Sequence, residues 1–286
     1  MASALTIIIP SRNPLQCQSL IDQLAAYGHT HVIVVHPHTT CAPRGAHSIT
    51  TPDLLGAATA RNLAAQRVRH GIVVFLDDDI ELRSDVPRLL AWCLNDPHIV
   101  ASGGVIHDAP TNGYWQRCMH RCMTTTQYWA HTRHTTPLLM SMALAVRAEQ
   151  LHAIGGFAES FPGAAGEDAE ISIRLQAHGT LYVLPQAHLW HLPVGTDARS
   201  ALRRLSRYGR AWVRVIRHST HPSVLRRVPA SFGWMIGLFA PILAIYDMLH
   251  MRPWRHERAT MWGCWVCRIA WYVGVAGALT NREGVC

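Results

Sequence analysis

At 286 residues, 49% hydrophobic and 8% aromatic, the chain is long enough to bury one large core and too apolar for global disorder. Its charge is uneven: up to Ala198 there are 12 arginines against 15 acidic residues, and from Arg199 onward 14 arginines stand against Asp247, Glu257 and Glu283. The basic C-terminal part calls for an anionic partner, phospholipid headgroups or nucleic acid, and the first 198 residues do not. Eight cysteines are scattered through a chain whose first residues, MASALTIIIPSRN, lack a basic n-region. Reduced thiols in the cytosol are therefore expected, not a secreted disulfide framework.

Taken in order, Leu5 to Ile9 is an apolar run with the composition of a buried strand. Pro10, Ser11, Arg12, Asn13 and Pro14 follow as a loop whose hydroxyl, amide and guanidinium could hold a nucleotide. Leu15 to Tyr27 has helical spacing at Leu15, Leu20, Ile21 and Leu24, and Gly28 closes it. His31 to Val35 is the next strand, ended by the turn His36, Pro37, His38. Strand, helix and strand in so short a stretch make a βαβ unit, and a doubly wound α/β fold is predicted. Ala57 to Val68 reads as a helix with Arg61 and Asn62 near its start.

Ile72 to Leu76 is an unbroken apolar run, the pattern of a strand buried on both faces, and it runs straight into Asp77, Asp78 and Asp79. Three adjacent carboxylates repel one another and must be hydrated or neutralised. Magnesium or manganese does this well, because both take hard oxygen ligands and share a substrate's phosphates with one or two carboxylates. The plain alternative is an acidic turn opening the helix near Ser84. Val86 to Leu94 is a further helix and Ile99 to Ile106 a strand. Asp108 to Pro137 has little periodicity and reads as a binding loop or lid. Leu138 to Arg147 is an apolar strand, Glu167 to His178 a helix with acidic residues in its first turn, and Leu181 to Leu184 a short strand before His188, Trp190 and His191.

The segments IIIPSRN, TARNLA, VVFLDDD, MALAVRAEQLHAIGGFAESF, GEDAEISIRLQAHG and LPQAHLWH, in this order over residues 4–195, resemble the family 2 glycosyltransferases. The resemblance implies a GT-A nucleotide-binding fold, a mostly parallel doubly wound sheet. It implies sugar transfer from a nucleoside-diphosphate sugar to an acceptor hydroxyl with inversion, assisted by Mn2+ or Mg2+. By match to the family's motifs, Asp77 would lie near the ribose and the metal, Asp79 would coordinate the metal, and His191 would reach metal or phosphate. Asp168 of the GED motif would be the general base, a role that needs a carboxylate facing the acceptor, with its proton affinity raised by burial or by a neighbour such as Glu167. Pro10, Ser11, Arg12, Arg61 and Asp78 fall at nucleotide-contacting positions. One departure stands out: where relatives carry an acidic pair after the second strand, this chain reads VVHPHTT, with His36 at the base-contacting position. A histidine does not reproduce a carboxylate's contact with a uracil imide N–H, which tells against the usual UDP-sugar donor and leaves GDP- and dTDP-sugars open.

Beyond this catalytic domain, residues 1–198, the chain divides off a second region, 199–286. Arg199 to Arg227 holds nine arginines interleaved with Leu202, Leu205, Trp212, Val213, Val215 and Ile216, the composition of an interfacial amphipathic helix; a solvated surface helix is the alternative. Ala230 to Tyr246 is uncharged but short for a span and contains Pro241, and Met261 to Leu279 carries Arg268 near its centre. A transmembrane hairpin would put Arg252, Arg255 and Arg258 on the far side, against the positive-inside bias, so re-entrant or interface-lying helices are preferred. The expected setting is the cytoplasmic face of the cell membrane, with a sugar or lipid-linked acceptor such as a cell-envelope polysaccharide or glycolipid. No nucleic acid is expected, since no recognised motif accompanies the arginines. Cys264 and Cys267 form a CxxC with no second pair and read as core packing. Cys118, Cys122, His131 and His134 have spacings that match no common zinc finger. Two other function classes stay in view: a nucleotidyltransferase, though PSRNP offers no glycine-rich phosphate loop, and a catalytically silent, membrane-bound binding module.

Overall fold

Residues 4–38, 42–123, 127, 134–161, 165–218, 233–251 and 257–280 are described by the structure, a computed structural model. The chain divides into two units, Met1–Ala109 with Thr125–Leu192 and Pro110–Thr124 with Pro193–Cys286.

In chain order the first unit opens with β1 (Leu5–Pro10), α1 (Gln18–Ala26), β2 (Val32–Pro37), β3 (His47–Thr51), α2 (Ala57–Ala65) and β4 (Ile72–Leu76). Every residue of β4 is buried, as its unbroken apolar run requires. β5 (Ile80–Leu82), α3 (Val86–Cys93) and β6 (Ile99–Asp108) follow. The chain then passes through α4 (Tyr114–Cys122), which belongs to the second unit, and returns as β7 (His134–Thr135), β8 (Ala143–Arg147), α5 (Ala148–Ala153), α6 (Glu167–Gln176) and β9 (Thr180–His191).

The strands form one mixed sheet in the order β3-β2-β1-β4-β8-β6-β9-β5, with β7 also paired to β9. β1 is parallel to both β2 and β4, β2 is parallel to β3, and β6 is parallel to β9. β8 runs against both β4 and β6, so these six strands share one direction. The expected α/β fold with a mostly parallel sheet is therefore what the chain forms. The chain leaves β1 toward β2 and β3 and returns to β4 on the other side of β1. A crevice opens at such a reversal, at the carboxyl ends of the strands. Ser11 and Asp77 to Asp79 emerge there.

Several predicted boundaries move. Helix α1 begins at Gln18, not Leu15, because Asn13 folds the chain into a turn, its Oδ1 accepting from Leu15 N at 3.2 Å and its carbonyl from Gln16 N at 2.9 Å. The short strand expected at Leu181 to Leu184 continues to His191. Its ladder to β6 skips from Leu184 to His188, which leaves Pro185, lacking an N–H, outside the pairing. The aspartate triplet does not open a helix: β5 comes next, and α3 is capped by Asp85, which accepts from Arg88 N.

The second unit holds α4, α7 (Ala198–His218), α8 (Gly233–Leu238), α9 (Ala240–Met251), a 3-10 turn (Arg258–Thr260) and α10 (Met261–Thr280). Part of the stretch expected to be an irregular loop, Asp108 to Pro137, is thus helical, and α4 packs with α10. The uncharged stretch from Ala230 breaks at Phe239, and α9 restarts with Pro241 in its first turn, where the missing N–H costs nothing. Backbone approach is closest between α7 and α10: a Cβ on Gly274 would lie 1.9 Å from Ser206 O, so only glycine fits.

Cys264 and Cys267 are not without a second pair. They pack, fully buried, with Cys118 and Cys122 in the core of this unit. His131 of the other pattern lies outside the described residues. Arg268, expected to be costly in an apolar helix, is buried against Asp247: its Nε donates to Asp247 Oδ2 at 2.7 Å, its Nη2 donates to the same oxygen, and Tyr272 Oη adds a bond of 2.9 Å. Removing one partner of a buried pair leaves an uncompensated charge. Asp247→Ala is expected to cost about 3–5 kcal/mol in urea unfolding, whereas Asp247→Leu with Arg268→Met should recover most of it. Equal losses in the single and double variants would contradict this.

Candidate active site

The carboxylates are placed by strand ends. β4 delivers Asp77, Asp78 and Asp79 at the crevice beside β1, and Ser11 Oγ donates to Asp78 Oδ2 at 2.6 Å across it. Pro10 ends β1, half-buried, and Arg12 is exposed beyond it. Burial pushes the Asp78 carboxyl up, opposed by its bond from Ser11.

Asp79 and His191 are 112 positions apart and are joined by the β5–β9 ladder, in which Ile80 pairs with His191. Leu192 N donates to Asp79 O at 2.8 Å and extends that pairing, so the His191 ring comes to lie beside Asp79, with Nε2 3.2 Å from Oδ2. The side chain of Asp79 is part-exposed and that of His191 buried, so the pair is presented at the mouth of the crevice.

Arg61, 2% exposed on α2, draws the other acids together. Its Nη2 donates to Asp77 Oδ1 at 2.7 Å and its Nη1 stands 3.5 Å from Glu167 Oε1. Asp168 is close enough to bear on the charges of both Arg61 and Asp77. Burial and the neighbouring Asp79 and Asp168 push Asp77 up, with Arg61 opposing. Glu167 is pushed up to about 8 from the ordinary 4.5, by burial first and then by Asp168. Near neutral pH it therefore holds its proton, and the Arg61 cation faces Asp77 and Asp168. Asp168 Oδ1 and Glu167 Oε2 are buried with no hydrogen-bond partner among the described residues. Within the first turn of α6 the acids are divided in use, since Glu170 is held by Arg174 at 2.6 Å.

The raised Glu167 carboxyl makes stability pH-dependent. The folded chain binds this proton more tightly than the unfolded chain, so its contribution is complete below about pH 4.5 and is lost as pH rises through about 8. Glu167→Gln should flatten this loss in the metal-free protein, read as the urea midpoint from pH 5 to 9. Parallel curves for the two proteins would contradict it.

His36, 2% exposed at the end of β2, sits where the resemblance puts the nucleobase. Its Nδ1 is 2.9 Å from Pro37 O, which accepts, so Nδ1 carries the hydrogen. In the neutral ring Nε2 is then an acceptor, and it is buried and without a partner among the described residues.

Asn62 and Glu159, which lie within the motifs but carry no role in the resemblance, lock a loop to the site. Asn62 Oδ1 accepts from Phe157 N at 2.8 Å, and its Nδ2 donates to Phe157 O at 2.8 Å and to Glu159 at 2.7 Å. Gly156, at φ +71°, allows this, since a Cβ there would lie 2.6 Å from Asn62 Oδ1. Phe157 in turn packs edge-on against Phe75 of β4, ring centroids 5.1 Å apart, and lies under the Arg61 guanidinium. The sequence neighbour of Asn62 is Arg61 itself, so the segment between α5 and α6 is tied to the residue that gathers the carboxylates.

The donor set suits a divalent cation shared with a ligand. Among the described residues no group of three or more His, Cys, Asp or Glu is arranged to hold a metal alone. Asp79 and His191 would supply one hard oxygen and one imidazole, and magnesium or manganese commonly takes only one or two protein ligands when phosphates and water complete the shell.

A crevice at the reversal point of an α/β sheet, edged by carboxylates, is where such folds bind their ligands. Residues 17–145, just under half of the chain, match the family model for glycosyl transferase family 2. No curated protein sequence matches the chain. Among solved structures, it resembles a mannosyltransferase from Pyrobaculum calidifontis in complex with GDP-Man and Mn2+, with 18% identity and a TM-score of 0.55 over 94% of this chain and 74% of that one. It also resembles glucosyl-3-phosphoglycerate synthase from Mycobacterium tuberculosis, solved with Mn2+, UDP-glucose and phosphoglyceric acid, at 15% identity and TM-score 0.53 over 78% and 81%. GalNAc-T7 with UDP, GalNAc and Mn2+ matches at 12% identity and TM-score 0.53 over 90% of this chain, which spans only 55% of that one. At these identities the likeness is one of fold.

Proposed function

We propose that the chain transfers a sugar from a nucleoside-diphosphate sugar to an acceptor hydroxyl, with inversion, and that it works at the cytoplasmic face of a membrane on a lipid-linked or membrane-proximal acceptor. The observation that carries the catalytic reading is the gathering of Asp77, Glu167 and Asp168 around the buried Arg61, beside the Asp79–His191 pair. Asp168 takes the acceptor's hydroxyl proton on its unpartnered buried oxygen. The acceptor oxygen then bonds to the anomeric carbon, opposite the departing group, and the bond to the diphosphate breaks with its electron pair leaving on the diphosphate oxygen. Arg61 holds Asp77 and lowers the electrostatic cost of two carboxylates so close together. Glu167, holding its own proton, adds no third negative charge. Asp79 and His191, with Asp77 nearby, would hold Mn2+ or Mg2+, which would supply Lewis-acid stabilisation of the charge that builds on the leaving diphosphate.

The His36 tautomer bears on the donor. Because Nδ1 donates to Pro37, Nε2 can accept the imide-type N–H of uracil, thymine or guanine, and meets only an acceptor on the corresponding edge of cytosine. The expectation against UDP-sugars is thereby revised: a neutral His36 can accept this N–H where relatives carry an acid, and UDP-sugars stand beside GDP- and dTDP-sugars as donors. Support for the membrane setting comes from the basic α7 and the apolar helices after it. The test is release of nucleoside diphosphate from UDP-, GDP-, dTDP- and CDP-sugars with Mn2+, water standing in for the acceptor. Release from at least one donor bearing an imide-type N–H and none from CDP-sugar is expected. No release from any donor, or a CDP-sugar preference, would overturn the reading.

A further inference from the structure

Two stripes of unlike chemistry run along the second unit. On α7 the exposed arginines are Arg199, Arg203, Arg207, Arg210 and Arg217, at steps of three, four or seven, while Ala201, Leu205, Val213, Val215 and Ile216 are buried. At 3.6 residues per turn this puts the charges on one side and the apolar residues on the other. On α8 and α9 the exposed residues Trp234, Leu238, Ile242, Ile245 and Leu249 also recur at steps of three or four, each 49–64% exposed. Between Trp234 and Leu249 the sole charged residue is Asp247, and it is turned inward to Arg268. An apolar stripe of this length without an exposed charge is unusual on a soluble protein and marks an interaction surface.

We infer that this stripe of α8 and α9 seats in the interface of an anionic lipid bilayer, and that α7 supplies the charge attraction. The proposal rests on the membrane reading given above and names the surface that meets lipid. Charge complementarity selects the occupant: from Arg199 onward the chain has 14 arginines and three acids, which a protein surface of ordinary composition would not match and an anionic leaflet does. Neither helix of this stripe is long enough to span by itself. α9 has 12 residues and α8 six, about 18 Å and 9 Å, against a hydrocarbon core of about 30 Å. The segment Arg258–Thr280 is long and apolar enough to cross by length and composition, but it is 44% buried within the chain. α7, α8 and α9 all pack on α10, so it serves as the core of the unit and the stripe lies flat.

The test is flotation of the purified full chain with vesicles of phosphatidylcholine, alone and with one-third phosphatidylglycerol. Two variants accompany it, Leu238→Asn with Ile242→Asn, and Arg203→Glu with Arg207→Glu and Arg210→Glu; all five positions are exposed, and unfolding curves check that the fold is kept. The wild type should float with the anionic vesicles. The asparagine variant should lose at least about tenfold in partitioning, and the glutamate variant should lose the preference for phosphatidylglycerol. A wild type that ignores both vesicles overturns the membrane reading itself. An asparagine variant that binds like wild type overturns only the face assigned here. If lipid-free wild type is a dimer that the asparagine changes split, with vesicle binding unchanged, the stripe belongs to a second copy of the chain and the proposal falls.

Discussion

Asp168→Asn is expected to bind donor as the wild type does and to release nucleoside diphosphate about 10²–10⁴-fold more slowly. The amide matches the carboxylate in shape, so α6 and its Glu170–Arg174 pair are untouched. What changes is basicity: an amide oxygen cannot take a proton from a hydroxyl at neutral pH. The substitution also removes a negative charge from the set facing Arg61, which leaves Asp77 as the remaining ionised partner and should tighten that pair. Donor affinity measured by titration and turnover measured by diphosphate release separate the two effects. A variant that turns over at the wild-type rate would show that another group carries the proton. Glu167 is the neighbour to try next, since it stands on the same helical turn.

Asp79→Ala addresses the other half of the site. Its side chain is 32% exposed at the end of β4, and the strand pairing beyond it uses its backbone carbonyl, so the fold should survive. Loss of an outer-shell partner already costs a metal site about 10–100-fold, so loss of a ligand should cost at least about 100-fold in metal-dependent nucleotide affinity. His191→Ala, which leaves the carboxylate in place, should cost less. Metal-dependent binding that persists in Asp79→Ala would move the metal to Asp77.

How much of this can be read from the residues depends on which physical signal each element carries. β4 and the triplet after it are plain, because a strand buried on both faces has no polar residues to dilute its pattern. The direction of β8 is not legible, since an apolar run is the same parallel or antiparallel. The hairpin-like pairing of β5 with β9, which brings Asp79 to His191, depends on a three-residue strand too short to show alternation. α4 escapes a sequence reading for a different reason. Trp115, Cys118, Met119 and Cys122 fall at helical spacing, but two of these four are cysteines, and weighing them as metal ligands hides their use as apolar core residues. The same habit separates Cys118 and Cys122 from Cys264 and Cys267, whose packing only the tertiary structure reveals.

At the site, Ser11 meets Asp78, Arg61 meets Asp77 and Glu167 near Asp168, and Asp79 meets His191, but these pairings are not legible in the sequence. Arg61, expected at the nucleotide, is found joining Asp77 to Glu167. Asn62 stands next to it in TARNLA, and Glu159 is in GGFAES, yet nothing in either segment announces that one amide grips the Phe157 backbone on both sides. The His36 substitution is visible; the hydrogen on its Nδ1 is not, because it follows from the carbonyl of Pro37.

The central claim is that the carboxylates of this crevice bind a nucleoside diphosphate through a divalent cation. Thermal unfolding of the purified chain against UDP, GDP, dTDP and CDP, with and without Mn2+, in wild type and Asp79→Ala, tests it directly. A nucleotide at about 100 times its Kd adds about 2.7 kcal/mol, a shift of a few degrees. The account predicts a shift for at least one of UDP, GDP or dTDP in the wild type with metal present, none without it, and none in the variant. No shift with any nucleotide, or equal shifts in wild type and variant, would contradict it.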